Sequence, residues 1–154
     1  MQKTAVLVKP DGMQRGLIGE IISRFERKGL KLVGLKMVQM SDEMLSDWYA
    51  EHKEKSFFGD LKSFMGQMPI VAMAWEGIDA VKVVRSLVGT TLGREAEAGS
   101  IRGDFGMSQQ FNLIHASANE NDAKRELAIV FGEEEIFAYQ SSMEQLIYAE
   151  YERK

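Results

Sequence analysis

Hydrophobic and polar positions along this chain follow two spacings in turn, one typical of strands and one typical of helices. Short apolar runs, β-branched or alternating with polar residues, predict strands at 4–8, 30–40, 70–75 and 112–115. Apolar residues three or four positions apart predict intervening helices at 18–28, 41–52, 57–65 and 80–88, with a last helix ending near 131. Ser117 and Glu120 have the spacing of a capping box at the start of that last helix.

The predicted order is β-α-β-α-β-α-β-α, and 154 residues are typical of a single domain covering 1–154. We interpret the order as an α+β, ferredoxin-like (βαββαβ) fold, in which helices cover one face of a four-stranded antiparallel sheet. A doubly wound parallel sheet is the alternative. It is less favoured because the chain has no glycine-rich strand-to-helix turn of the dinucleotide-binding type.

The segment 89–110 interrupts the pattern, because it contains five glycines and has no clear period. A long loop within a compact domain is usually functional or disordered. The low proline content and the absence of low-complexity sequence argue against disorder in this chain. We therefore expect a functional loop.

Composition excludes several classes of protein. The chain has no cysteine, which excludes disulfides, thiolate metal sites and cysteine nucleophiles. Its net charge of −4 disfavours a nucleic-acid binder, for which a basic excess is typical. No apolar stretch reaches the ~20 residues of a membrane span, and Lys9 interrupts an N-terminal run too short for a signal peptide. We expect a cytoplasmic protein with no membrane or nucleic-acid partner.

His115 is the strongest candidate for chemistry among the two histidines of the chain. It ends a predicted strand just before a predicted helix N-terminus, a position that favours anions. A neutral imidazole there could attack phosphorus and carry the phosphoryl group covalently. The alternative is an ordinary structural histidine. His52 lies among charged residues and is expected on a solvated face.

Three basic residues could surround a phosphate near His115. Lys9 ends the first strand, Arg85 precedes the glycine-rich segment, and Arg102 lies within it. Phosphoryl transfer needs positive charge spread around the moving group, and arginine offers a planar fork to phosphate oxygens. Glu126 could orient the imidazole. Each residue could instead be a solvated charge, and spacing alone does not bring them together.

Several blocks of sequence closely resemble those of nucleoside diphosphate kinases, and they occur in that family's order across nearly the whole chain. They are Lys9-Pro10-Asp11-Gly12, Gln14-Arg15-Gly16-Leu17, Phe57-Phe58, Trp75-Glu76-Gly77, Ile101-Arg102-Gly103-Asp104-Phe105 and Asn112-Leu113-Ile114-His115-Ala116-Ser117. The last block resembles the family's active-site segment. This resemblance favours a catalytic role for His115.

The resemblance implies an enzyme that transfers the γ-phosphate of a nucleoside triphosphate, usually ATP, to a nucleoside diphosphate through phosphorylated His115. The implied catalytic residues are His115, Lys9, Glu126, Tyr49 and Ser117. The implied nucleotide-binding residues are Lys9, Phe57, Leu61, Arg85, Thr91, Arg102 and Asn112. Phe57 would stack on the base with Leu61 beside it, and stacking tolerates every base.

The same resemblance implies a Mg²⁺ ion that arrives with the nucleotide rather than in a cage of protein side chains. It also implies a homo-oligomer, either a tetramer or a hexamer. The ferredoxin-like fold of the family agrees with the order of elements predicted above.

The chain departs from the family pattern in its glycine-rich loop. Leu92-Gly93 replaces an Asn-Pro pair, and Ala98 replaces a second proline. Losing prolines is expected to loosen the loop. Gln109 stands where the wall of the base site is commonly apolar. A non-catalytic relative that binds nucleotides without transferring phosphate is therefore the alternative function.

Overall fold

A computed structural model describes residues 1–153 of the chain. Four strands, β1 (Gln2–Val8), β2 (Lys31–Val38), β3 (Ile70–Gly77) and β4 (Ile114–Ala116), form one sheet in the order β2-β3-β1-β4. Every neighbouring pair is antiparallel. The α+β, ferredoxin-like prediction is confirmed, and the parallel alternative is excluded.

Eight α-helices connect or flank the strands within the described residues: α1 (Pro10–Gln14), α2 (Ile18–Lys28), α3 (Asp42–Trp48), α4 (Phe58–Gly66), α5 (Ala80–Val88), α6 (Ile101–Phe105), α7 (Glu120–Val130) and α8 (Glu144–Ile147). Short 3₁₀ turns occupy Ala50–His52, Gly93–Glu95, Glu133–Glu135 and Glu150–Glu152. None of the helices within residues 1–153 combines the length and apolar character needed to cross a membrane.

Short helices account for most differences from the predicted elements. Pro10-Asp11-Gly12 begins α1, for which no helix is predicted, and the glycine-rich segment contains α6. The helix predicted at 41–52 ends at Trp48 and is followed by a 3₁₀ turn. A five-residue helix is barely longer than one turn, so it leaves almost no 3.6-residue period to detect.

The sheet has an apolar core on each face, so the expectation of helices on one face is wrong. Alternate residues of β1 point to opposite cores, with Leu7 packing beneath α3, α4 and α7 and Val6 beneath α2 and α5. Along β3, Ile70–Trp75 is buried on both faces. That double burial explains the nearly unbroken apolar run of this strand.

The predicted capping box at Ser117 is also wrong. Helix α7 begins at Glu120, and the Asn119 side chain caps it by accepting a 2.9 Å hydrogen bond from the Asp122 backbone N–H. Asparagine is as strong a cap as serine, so sequence spacing alone does not choose between them. Ser117 is fully buried and does not cap the helix, so its hydroxyl is available for another contact.

The glycine-rich segment is held in place without the prolines that the family pattern places there. The Arg24 guanidinium donates to the Gly99 carbonyl at 3.0 Å and pairs with Asp104 at 2.6 Å. Asp104 in turn accepts from the Gly99 backbone N–H at 2.8 Å. These contacts tie the loop and α6 to α2, so α6 presents Arg102 from a fixed position.

Gly103→Ala is expected to destabilise the protein, because a Cβ at this position would lie 1.9 Å from the Glu97 carbonyl oxygen. We expect a loss of roughly 2–3 kcal/mol in the free energy of unfolding, measured by urea denaturation, as for other overpacked sites. Gly19→Ala is the matched control, because nothing lies within 4 Å of a Cβ added there. If Gly103→Ala and Gly19→Ala have the same midpoint of urea denaturation, the close approach of the Glu97 carbonyl to α6 does not restrict this position as described.

Candidate active site

The register between β1 and β4 brings His115 next to the end of the first strand. Leu7 pairs with His115 and Val8 with Ile114. Just beyond the pairing, the Lys9 backbone N–H donates to the Leu113 carbonyl at 2.8 Å. Paired residues share a face of the sheet. His115 therefore lies on the same face as Leu7, the face covered by α3 and α7.

His115, Glu126 and Ser117 form a hydrogen-bonded chain, which we call the histidine relay. Nε2 of His115 lies 3.0 Å from one carboxylate oxygen of Glu126, and the other oxygen accepts from the Ser117 hydroxyl at 2.7 Å. A carboxylate can only accept, so in the neutral imidazole the proton is on Nε2 and the lone pair is on Nδ1. Glu126 is buried, whereas a quarter of the His115 side chain is exposed.

Two aromatic residues at the end of α3 border the histidine relay. The Trp48 ring lies 5.1 Å from the His115 ring, centroid to centroid, at an interplanar angle of 69°. Tyr49 is buried, and both its burial and the negative charge of Glu126 raise the pKa of the Tyr49 hydroxyl well above its usual range. Tyr49 therefore remains protonated throughout the physiological pH range.

Lys9 and Asn112 anchor a second group, the phosphate-side cluster, which also includes Thr91 and Arg102. The buried Lys9 ammonium donates to the Asn112 side-chain oxygen at 2.9 Å and to the Gln110 carbonyl. The Asn112 amide donates at 2.9 Å to the Thr91 carbonyl. Burial lowers the pKa of Lys9 to about 8, with Asp11 opposing the shift and Arg102 adding to it.

Arg102 lies against the backbone that leads into β4. Its guanidinium donates to the carbonyls of Ile114 at 2.7 Å, Gly89 at 3.0 Å and Asn112 at 3.3 Å. Burial and the neighbouring Arg85 lower the pKa of Arg102 to about 10. Arg85 itself is exposed on α5. Lys9 and Arg102 thus meet at Asn112, whereas Arg85 lies on the surface of α5, near enough to Arg102 to affect its pKa.

Asp11 is a contributor to the site that sequence analysis did not identify. One carboxylate oxygen accepts from the Leu113 backbone N–H at 2.9 Å, and the other is buried with no hydrogen-bond partner in the described part of the chain. Leu113 has a φ of +74°, an unfavourable conformation for a residue with a side chain. Asp11 thus helps to hold a strained residue only two positions before His115.

Asp11→Ala is expected to reduce the free energy of unfolding by roughly 1–3 kcal/mol, because it leaves the buried Leu113 N–H unpaired. Asp11→Asn keeps a side-chain oxygen that can accept this bond and should lose less. Urea denaturation of both variants is the measurement. If Asp11→Ala and Asp11→Asn lower the free energy of unfolding equally, the hydrogen bond from the Leu113 backbone N–H to Asp11 does not stabilise the fold as described.

Phe57 directly precedes α4, and Leu61 lies within this helix. Phe57 is 49% exposed, and its ring lies 5.6 Å from the His52 ring, which in turn stacks on Tyr49 at 6.2 Å. The expectation of a solvated His52 is therefore wrong, because two aromatic neighbours leave it only partly exposed. Leu61 is half-buried against the core. In the same helix, Phe64 places its ring 5.3 Å from the Lys9 ammonium.

Comparison with known proteins identifies relatives along nearly the whole chain. The family model for nucleoside diphosphate kinase matches residues 2–136. The nucleoside diphosphate kinase of Parabacteroides distasonis is 53% identical over 140 residues, which is 91% of this chain and 92% of that protein. The corresponding enzyme of Archaeoglobus fulgidus is 49% identical over 150 residues, covering 97% and 99% of the two chains.

Solved structures match the fold equally closely. A nucleoside diphosphate kinase family protein from Babesia bovis superposes with a TM-score of 0.94 at 47% identity, covering 96% of this chain and all of that one. A halophilic nucleoside diphosphate kinase from Halobacterium salinarum, solved in complex with CDP, gives 0.94 at 44% identity, covering 96% and 99%. The family model, the sequence relatives and the solved structures all agree. This chain therefore belongs to the nucleoside diphosphate kinase family.

Proposed function

We propose that this kinase moves the γ-phosphate of a nucleoside triphosphate, usually ATP, to a nucleoside diphosphate in two half-reactions through phosphorylated His115. The observation that carries the proposal is the hydrogen bond between His115 Nε2 and Glu126. That bond leaves Nδ1 as the free nucleophilic nitrogen on a partly exposed ring.

In the first half-reaction, Nδ1 attacks the γ-phosphorus, and the bond from that phosphorus to the β–γ bridging oxygen breaks. The nucleoside diphosphate leaves with that oxygen. In the second half-reaction, a terminal oxygen of the acceptor diphosphate attacks the phosphorus, and Nδ1 leaves with its electron pair. Throughout, Nε2 keeps its proton, and Glu126 balances the positive charge of the ring while Ser117 holds the carboxylate in place.

Cationic groups supply most of the remaining catalysis, because phosphoryl transfer depends mainly on positioning and on neutralising charge. Lys9 would contact phosphate and ribose oxygens, and Arg102 would hold the phosphate chain together with Arg85 and Thr91. Asn112, bonded to Lys9, would contact the sugar. The hydrogen bonds that fix Lys9 and Arg102 in the free protein support this assignment, because a preorganised charge needs little rearrangement when substrate binds.

The base would stack on the half-exposed ring of Phe57 with Leu61 beside it. The CDP complex of the halophilic relative supports a nucleotide site in this fold. Stacking does not depend on a particular pattern of hydrogen bonds, so it supports a broad choice of bases. Gln109 adds a polar group where an apolar wall is expected.

Mg²⁺ would arrive with the nucleotide rather than be held by protein side chains. The charged groups of the phosphate-side cluster are cations, which suit phosphate rather than a metal ion. The carboxylate of the histidine relay is already bonded to His115 and Ser117. When bound, the ion would neutralise charge on the phosphates.

A homo-oligomer, either a tetramer or a hexamer, is the proposed assembly. The edge strand β2 supports assembly, because Leu35 and Met37 are 51% and 64% exposed on it. Exposed apolar residues on an open sheet edge favour association. The proposed location is the cytoplasm, and the absence of cysteine is compatible with a reducing compartment.

The test is single-turnover transfer. The protein is incubated with Mg²⁺ and γ-labelled ATP, freed of nucleotide, and then mixed with GDP. We expect an acid-labile, alkali-stable label on the protein that moves to GTP. A non-catalytic relative would bind nucleotide without becoming labelled, and that outcome would refute the proposed function.

A further inference from the structure

The Trp48 side chain contacts the ring of His115. None of the residue roles proposed above accounts for this contact. Trp48 is the last residue of α3, 3% exposed, with its ring centroid 5.1 Å from that of His115. A single hydrogen bond from Nε2 to Glu126 does not by itself fix the rotation of the imidazole about the Cβ–Cγ bond of His115. An indole lying at 69° to the imidazole obstructs such a turn.

Trp48 is itself held in place by the helix that carries Glu126. The Arg125 guanidinium donates to the Asp47 carbonyl at 2.9 Å and to the Trp48 carbonyl at 3.4 Å. The same side chain lies 3.9 Å from a carboxylate oxygen of Glu126. Arg125 thereby couples the end of α3 to α7, so the indole and the carboxylate keep a fixed relation to His115.

The contact also has an electrostatic consequence once phosphate is transferred. An imidazole that carries phosphate on Nδ1 and a proton on Nε2 has a cationic ring. Tryptophan is the aromatic side chain that interacts best with a cation, and the distance of 5.1 Å is within the range for this interaction. The buried indole also excludes water from one side of the ring.

We propose that Trp48 is a positioning residue, which orients His115 for attack and stabilises the ring of the phosphorylated form. This inference rests on the proposed phosphohistidine. The Trp48 indole N–H is buried and has no hydrogen-bond partner among residues 1–153. Ring contact and packing therefore hold the side chain, so phenylalanine preserves part of its role and leucine removes the aromatic face.

The test compares Trp48→Leu with Trp48→Phe by rapid quench of His115 phosphorylation and by the lifetime of the isolated phosphoenzyme. For Trp48→Leu we expect the rate of His115 phosphorylation and the lifetime of the phosphoenzyme each to fall by about 3- to 30-fold, the range for loss of a cation–π contact. KM for ATP should be nearly unchanged. Phenylalanine should give a smaller loss. Leu45→Val, a buried substitution in the same helix, is the control for destabilisation and should leave both quantities at wild-type values.

Tryptophan fluorescence gives a second readout that does not depend on the leucine variant folding. The only other tryptophan, Trp75, belongs to the opposite core. Phosphorylation should change the emission of the wild type and of Trp75→Phe but not that of Trp48→Phe. Wild-type rate and lifetime in a folded Trp48→Leu variant would overturn the inference, as would an emission change that persists in Trp48→Phe. An unlabelled wild-type protein would instead refute the proposed function.

Discussion

His115→Gln is expected to lose phosphate transfer by on the order of 10⁴-fold or more, the scale seen when a covalent nucleophile is removed. Glutamine can still donate a hydrogen bond to Glu126 but has no nitrogen nucleophilic enough to accept phosphate. A quarter of the His115 side chain is exposed, so the fold should tolerate the change. The measurements are a coupled ATP and diphosphate assay and the acid-labile label after incubation with ATP.

His52→Gln is the matched control, because His52 is the only other histidine in the chain. It lies beside Tyr49 and Phe57 rather than in the histidine relay. We expect this variant to keep the label and to transfer it to GDP. An acid-labile label that survives in His115→Gln would show that the phosphate is carried elsewhere.

The second large effect is expected at Lys9, whose ammonium loses its proton at a lower pH than that of an ordinary lysine. Burial lowers its pKa to about 8. As pH rises through that value in the free enzyme, the ammonium loses its proton and kcat/KM should fall. Bound phosphate favours the charged form, so the profile of kcat should lie at higher pH than that of kcat/KM.

Lys9→Met should remove this dependence together with most of the activity, at a cost of roughly 10²–10³-fold, the scale for one preorganised group at a transition state. Lys3→Met is the control, since Lys3 lies on β1, the strand that leads to Lys9, and pairs at 3.4 Å with Glu76, away from the site. A pH profile of kcat/KM that stays flat through pH 8 in the wild type would contradict the assignment.

Stability should follow the opposite trend with pH. The Lys9 pKa is about 8 in the folded state, against an ordinary value of 10.5. Between these values the unfolded chain binds the proton and the folded protein does not, so the free energy of unfolding increases with pH. The difference corresponds to about 3 kcal/mol at 1.36 kcal/mol per pKa unit. Denaturation of wild type and Lys9→Met from pH 7 to 10.5 measures this contribution, and the difference between their free energies of unfolding should shift in favour of the wild type by about this amount as pH rises.

The sequence by itself determined the elements that have a long or strongly apolar pattern. Helix α2 follows from apolar residues at helical spacing and ends at Gly29, which adopts a φ of +98°. Ile70–Trp75 follows from an apolar run. These patterns are local consequences of backbone periodicity and burial, which is why they can be detected without a fold. The family followed from several motif blocks in one order.

Only the tertiary structure decided how distant residues meet. The Lys9–Asn112 bond joins positions 103 residues apart, and it depends on the pairing of Val8 with Ile114. The contact of Trp48 with His115 depends both on the position of α3 and on the pairing of β1 with β4. No local period encodes such distances. Nor could local patterns predict that the sheet has an apolar core on each face or that the Ser117 hydroxyl bonds to Glu126. Both depend on strand register and helix packing, which are properties of the whole chain.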